Sequence, residues 1–212
     1  MDTTTTLDGL WAAVETFDAE AAEAAVTDLL EDLPLSGAVV TVVLPFLQQV
    51  GDRWEAGTLS VAHEHFVSEM VRRRLQAMAS APLVPAPGGA PVVLLACPAG
   101  ERHDMVLLCV SLMLRERGAR VRFLGADTPL PAIATAARAM SADAIVLAAT
   151  RSTVLTAHAS ALRRLAQDVP VYAAGPGADA RTVAEIGAVA LPDDPVRAVV
   201  VLVGALALSG SW

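Results

Sequence analysis

The chain has 212 residues, a formal net charge of −8 and a hydrophobic fraction of 54%. That length suits one large or two small domains, and that hydrophobicity supplies a substantial core and excludes general disorder. The acidic balance excludes a nucleic-acid surface of the phosphate-neutralising kind, which needs clustered Lys and Arg; Arg72-Arg73-Arg74 is the one basic cluster.

Met1 to Thr6 has neither a basic n-region nor an apolar h-region, so no secretion signal is expected. From Leu7 to Ala81 the apolar residues recur with helical period, which predicts an antiparallel bundle of four helices. The first runs from Leu7 to Phe17. Asp18 can cap the second, which reaches about Glu31 with Glu20 and Glu23 in its early turns, where the helix dipole favours negative charge. After the break at Leu33-Pro34, Ser36 to Trp54 predicts a strongly apolar third helix, kinked by Pro45 and closed by Glu55-Ala56-Gly57. Leu59 to Met78 forms the fourth. No segment has about 18 uninterrupted apolar residues, so no membrane span is expected and the protein reads as cytoplasmic.

Ala81 to Ala90 holds three prolines and two glycines in ten residues, the composition of a linker. The expected organisation is a helical cap over 1–82, a linker over 83–90 and a second domain over 91–212. In that second domain strands and helices alternate. Strands are expected at Val92–Cys97, Arg120–Leu124, Ala144–Ala149, Val169–Ala174 and near Ala188. Helices are expected at Met105–Arg117, Ala132–Met140, Leu155–Gln167, Ala180–Ile186 and from about Pro195. This is the pattern of an α/β fold with a flavodoxin-like (Rossmann-like) five-stranded parallel sheet. Cys97 and Cys109 fall in an apolar strand and on an apolar helix face, as small core residues rather than a disulfide or metal pair.

Ligands of such sheets sit beyond the carboxyl ends of the strands. Three loops leave those ends here: Gly100-Glu101-Arg102-His103-Asp104, Ala148 to Ser152, and Ala174-Gly175-Pro176-Gly177. The first carries a histidine between carboxylates, a candidate metal or cofactor loop. The small residues of the other two let a ligand approach the backbone, and Thr150 and Ser152 offer hydroxyls. On the fourth helix Val61, Glu64, His65 and Ser68 share one face. By spacing alone His65 fits equally a hydrogen-bonded core histidine and a ligand, whereas His63 reads as a surface histidine and Arg72–Arg74 as a solvated or interface face.

Together these runs resemble a known family. Gly-Glu-Arg-His-Asp at 100–104, Leu-Arg-Glu-Arg-Gly at 114–118 and Phe-Leu-Gly-Ala-Asp-Thr-Pro-Leu-Pro at 123–131 resemble the cobalamin-binding domain of CarH-type light sensors. Trp54, nine intervening residues and Glu64-His65 match that family's Trp-x9-Glu-His signature. The resemblance implies a cobalamin, adenosylcobalamin or methylcobalamin, with His103 as lower axial cobalt ligand and Glu101 orienting it. It implies that the cofactor's nucleotide tail lies along the second domain, lined by the Gly100 to Val106 run, including Arg102, Asp104 and Met105, by Asp127 and Thr128, and by the two later loops. Trp54, Val61 and Glu64 would pack around the upper axial group, and His65 would take its position after photolysis.

Three positions depart from the family pattern: Val106 stands where a glycine is usual, Ala148 where a small hydroxyl residue is usual, and Ala174-Gly175 where Gly-Gly is usual. CarH-type regulators also carry an N-terminal DNA-binding domain, whereas this sequence starts at the bundle. Direct nucleic-acid binding is therefore not expected, and the output is expected through a homo-oligomer or a separate protein. The standalone arrangement resembles the photocobilins, which implies biliverdin or another bilin as a second chromophore, with Arg72–Arg74 and Arg151 as partners for its propionates. The alternatives are a corrinoid carrier of a methyltransferase system, which would keep His103 but has no use for the Trp54–His65 signature, and a cofactor-free partner module.

Overall fold

The computed structural model describes residues 3–31, 33–80 and 88–209, and side chains for 6–31, 33–78 and 88–206. The chain divides into two compact units, Met1–Ala81 and Pro82–Trp212. Residues 81–87, which include most of the linker expected over 83–90, lie outside the described residues.

The first unit is helical: α1 (Thr3–Thr16), α2 (Ala19–Leu30), a helical run from Leu35 to Glu55, and α5 (Val61–Ser80). Asp18 caps α2 as expected, its carboxylate accepting the Ala21 N–H at 3.0 Å. Helix α1 starts four residues earlier than the apolar pattern indicates, at Thr3 rather than Leu7, because threonines at a helix start carry no apolar period. The third helix is one run made of α3 (Leu35–Ala38), a π-helical turn (Val39–Val43) and α4 (Leu44–Glu55). The expected Pro45 kink takes the form of this wide turn. Proline lacks an N–H and crowds the carbonyl four residues back, so widening the turn just ahead of it removes both problems.

The run Leu35–Glu55 is long and apolar enough, by length and composition alone, to cross a membrane. Counting uninterrupted apolar residues missed it, because Thr41, Gln48 and Gln49 interrupt the run without lowering its mean hydropathy far enough. Core helices pass the same test, and here Val39, Val43, Phe46 and Val50 are buried within the helical unit. Trp11 joins α1 to α4: its ring lies 4.9 Å from that of Phe46 and beneath the Arg53 guanidinium, 3.6 Å away. This fixes the end of α4, where Trp54 stands.

The second unit is the expected parallel sheet. β1 (Val92–Pro98), β2 (Arg120–Thr128), β3 (Ala144–Ala148), β4 (Val171–Ala174) and β5 (Val189–Ala190) lie in the order β2-β1-β3-β4-β5. Every residue of β1 is buried, as a central strand covered on both faces requires. One face packs on α7 (Leu130–Ala139), α8 (Ser152–Thr156), α9 (Ala159–Asp168) and α10 (Ala180–Ile186) through Leu94, Ile145, Leu147, Ile133 and Leu155. Each such buried side chain contributes about 1.5–3 kcal/mol. The right-handed crossover from β1 to β2 places α6 (Met105–Glu116) on the opposite face, and α11 (Pro195–Ser209), which follows the last strand, packs against α6.

Two differences from expectation matter for the site. β2 extends to Thr128 rather than Leu124, with register shifts against β1 at Leu95/Ala96 and Ala96/Pro98 and positive φ at Gly125 and Asp127. The helix expected over Leu155–Gln167 is two helices, α8 starting at Ser152 and α9 ending at Asp168, separated at Ala157-His158.

Candidate functional site

The strand β1 ends at Pro98, and the turn that follows delivers Glu101 and His103 before Asp104 starts α6. The turn is pinned from β2: the Gly100 N–H donates to Asp127 Oδ1 at 2.7 Å, and the Asp127 N–H donates back to the Glu101 carbonyl at 2.8 Å. That exchange explains the extension of β2, and it holds Asp127 at φ +49.

Glu101 and His103 are opposite in exposure, with side chains 2% and 76% accessible. The buried carboxylate Oε1 lies 2.6 Å from His103 Nδ1 and accepts the His103 N–H at 2.9 Å. Its Oε2 accepts both the N–H and the hydroxyl of Thr150, each at 2.6 Å. Burial alone would raise the Glu101 acid, but the Thr150 hydroxyl, the Thr150 and His103 N–H groups and the imidazole outweigh it and hold the pKa at about 2 against an ordinary 4.5. The imidazole therefore presents Nε2 outward with Nδ1 tied down, the arrangement that fixes a tautomer and raises ligand basicity. A folded value below the unfolded one stabilises the fold above pH 4.5, and that stability is lost as pH falls from 4.5 toward 2. With screening at the open side of the loop, the loss is on the order of 2 kcal/mol. Urea titrations between pH 7 and 3 should show this decline in the parent protein and a much smaller one in Glu101→Gln.

His103 stands at the mouth of a cavity of about 230 Å³. Of the residues expected to line a tail pocket, the cavity takes Val106 from α6, Ala148 and Thr150 from the end of β3, and Ala174, Gly175 and Pro176 after β4. Gly175 and Gly177 keep these loops in contact: a Cβ on Gly175 would stand 2.8 Å from the Ala149 carbonyl oxygen, and one on Gly177 2.6 Å from the Arg151 carbonyl carbon. The other expected residues do not line the cavity. Gly100, Asp104, Asp127 and Thr128 belong to the turn and strand that support His103: Asp104 is buried, and the Thr128 hydroxyl donates to the Gly125 and Ala126 carbonyls. Arg102 is exposed within the loop, Met105 begins α6, Ser152 opens α8, and Gly177 seals the back of its turn.

Leu107, Val110, Pro192, Asp193 and Ala198 line the cavity without having been singled out. The α6 pair was findable, since Leu107 and Val110 lie four and seven residues beyond His103. So was Pro192-Asp193, which follows the carboxyl end of β5, where the rule for parallel sheets already points.

Cys97 and Cys109 are buried and free. Burial, and for Cys97 the nearby Asp104 and Glu101 carboxylates as well, push both thiols up to about 12. Ellman's reagent near pH 8 should leave both unreacted in the folded protein and titrate both in urea; fast reaction of either in the folded protein would contradict this placement.

In the helical unit, Trp54 in the last turn of α4 and Val61 at the start of α5 are exposed, at 49% and 57%. Glu64 accepts the Ser68 hydroxyl at 2.7 Å, and His65, 75% accessible, has Nε2 3.5 Å from the other Glu64 oxygen. His65 is therefore exposed and is not a core histidine. His63, expected at the surface, is half-buried instead. It stacks on Phe17 at 4.3 Å, and its Nδ1 lies 2.7 Å from the Ser60 hydroxyl at the start of α5. Among the cations suggested for bilin propionates, Arg73 pairs with Glu23 at 2.6 Å, Arg72 lies 4.0 Å from Glu69, and Arg151 is exposed.

Among the described residues no three His, Cys, Asp or Glu side chains converge as a metal site. A metal held by His103 must therefore bring most of its own ligands, as a macrocyclic cofactor does, and an outward Nε2 beside a cavity fits that requirement.

Residues 91–200 match the family described as B12 binding domain, and residues 6–78 match a second family of that description. The chain belongs to the B12-binding domain family. It is 37% identical over 164 residues to the HTH-type transcriptional repressor CarH of Myxococcus xanthus, covering 77% of this chain and 54% of that protein. Against the repressor CarA of the same organism it is 39% identical over 139 residues, covering 64% and 46%. The chain thus spans about half the length of these curated relatives. The fold is shared with the monomethylamine corrinoid protein of Methanosarcina barkeri, with a TM-score of 0.77 at 17% identity over 96% of this chain and 100% of that one. The identities and both family matches support a CarH-like cobalamin-binding domain with cobalamin as its cofactor.

Proposed function

We propose that this chain is a cobalamin-dependent light sensor rather than an enzyme. The observation that carries the reading is an outward His103 oriented by a buried Glu101; an exposed Trp54–Val61–Glu64–His65 face, described within the helical unit by itself, agrees with it. When bound, the cofactor supplies a light-labile cobalt–carbon bond; the protein supplies ligands, packing and readout. His103 would hold the cobalt through Nε2. Trp54 and Val61 would shelter a light-labile group on the cofactor, and Glu64, held by Ser68, would offer it a polar contact. His65, exposed beside Glu64, would offer a second imidazole to the cobalt after illumination. A cap over 1–82 that shifts against a domain over 91–212 would carry the signal to a second copy or an output protein, a rigid-body switch of familiar kind.

Adenosylcobalamin added in the dark, with absorption spectra before and after illumination, tests the reading. A stable bis-histidine spectrum after light supports the sensor. Binding without a light-dependent axial change supports a corrinoid carrier, and no binding supports a cofactor-free module, the alternative that the departures at Val106, Ala148 and Ala174 raise. His65→Ala should leave dark binding within about twofold and remove the stable lit spectrum; an unchanged lit spectrum would take His65 out of the mechanism. A second chromophore is tested separately: reconstitution with biliverdin that leaves its red absorbance unshifted ends the bilin reading.

A further inference from the structure

The parallel helices α7 and α9 enclose a groove of about 500 Å³ on the sheet face opposite α6. That volume lies within the range of small-molecule sites. Its two ends differ. Toward the helix starts the walls are Leu130, Pro131, Ala134 and Ala161, with the polar ring of His158 at the N-cap of α9; toward the helix ends stand Arg138 and Arg164. Neither guanidinium has a hydrogen-bond or ion-pair partner among the described residues, although Asp168, one turn beyond Arg164, lines the same groove. In a chain of net charge −8, two unpaired arginines facing one apolar cleft concentrate positive potential where the surroundings are acidic.

We propose that this groove binds a small organic anion: an apolar body against Leu130, Ala134 and Ala161, with one acidic group between Arg138 and Arg164. Guanidinium groups receive carboxylates and sulfonates through paired charge-assisted hydrogen bonds, and the apolar end adds the burial that an inorganic ion lacks. Asp168 opposes the anion and sets an upper limit on affinity. The site is independent of the cobalamin reading, since no residue that lines it lines the His103 cavity.

Fluorescence titration of the full chain with 8-anilinonaphthalene-1-sulfonate, beside the uncharged N-phenyl-1-naphthylamine, tests the site. The double variant Arg138→Gln/Arg164→Gln should weaken the sulfonate at least about tenfold and change the neutral probe less than about twofold. Ala134→Trp should remove both. Asp168→Asn should tighten the sulfonate about two- to threefold and leave the neutral probe unchanged, a selectivity that misfolding, which exposes apolar surface to both probes, does not imitate. Equal sulfonate affinity in the parent and the double arginine variant overturns the proposal, as does retention of both probes by Ala134→Trp or an unchanged Asp168→Asn.

Discussion

His103→Ala should lower dark affinity for adenosylcobalamin at least about a hundredfold, because the substitution removes the axial donor and leaves the groups behind it without a task. Glu101 would keep its two bonds from Thr150 but lose both the imidazole and its purpose as an orienting acceptor. Glu101→Gln should fall between the parent and His103→Ala, about ten- to a hundredfold weaker than the parent, since an amide cannot accept from all the donors now aimed at the carboxylate. Equilibrium dialysis in the dark measures both, and absorption spectra report whether an imidazole is coordinated. Unaltered affinity and spectrum in His103→Ala would remove the axial assignment and with it the proposed sensor mechanism.

Gly177→Ala should destabilise the second unit by about 3 kcal/mol, a shift of roughly 10 °C in Tm for a protein of this size. The added Cβ would meet the Arg151 carbonyl carbon at 2.6 Å, its oxygen at 2.8 Å and the Ala149 carbonyl oxygen at 2.9 Å, all backbone atoms. Flexible side chains can turn away from such a contact, but here one of the two loops beyond β3 and β4 must move. The Gly177 N–H already donates to the Ala149 carbonyl at 2.9 Å, so the same displacement strains that bond. Gly204→Ala is the control: nothing lies within 4 Å of its Cβ position, and in the interior of α11 alanine should be neutral or stabilising by up to about 1 kcal/mol. Thermal melts of the two variants separate close approach from helix propensity, and equal Tm values would deny the tight contact.

The sheet was legible because each buried strand is an apolar run bounded by turn residues, as in Val92–Cys97 and Ala144–Ala149. What the pattern hid was local. Gly125-Ala126-Asp127 looks like a turn, and only the bonds from Gly100 and to Glu101 show why strand pairing continues to Thr128. The break at Ala157-His158 carries no proline or glycine, so nothing in composition marks it. At the site, the polar chemistry was readable from residue types and the cavity lining in part: the loops after β3 and β4 were expected, whereas Leu107, Val110 and Pro192-Asp193 were not. A glutamate two positions before a histidine suggested the pair, and Thr150 offered a hydroxyl. That the hydroxyl is spent on Glu101 is a matter of tertiary placement, 49 residues apart. Val106, expected in the tail pocket although it departs from a glycine there, stands in the cavity wall together with Leu107 and Val110.

The wide turn at Val39–Val43 has an angular consequence. An α-helix advances about 100° per residue, so one residue accommodated in a π-turn offsets every later side chain by roughly that angle from its direction in an unbroken helix. Trp54 lies eleven residues beyond the turn, in a helix whose end is clamped through Arg53 to Trp11. The phase of the whole α4 segment is thus set upstream, at Val39–Val43. Winding the same residues as an unbroken α-helix would swing Trp54 about a quarter-turn, whereas removing one residue from Val39–Val43 would restore a regular winding and leave Trp54 pointing where it does now, so the direction of that side chain is as much a product of the helical defect as of its own position in α4.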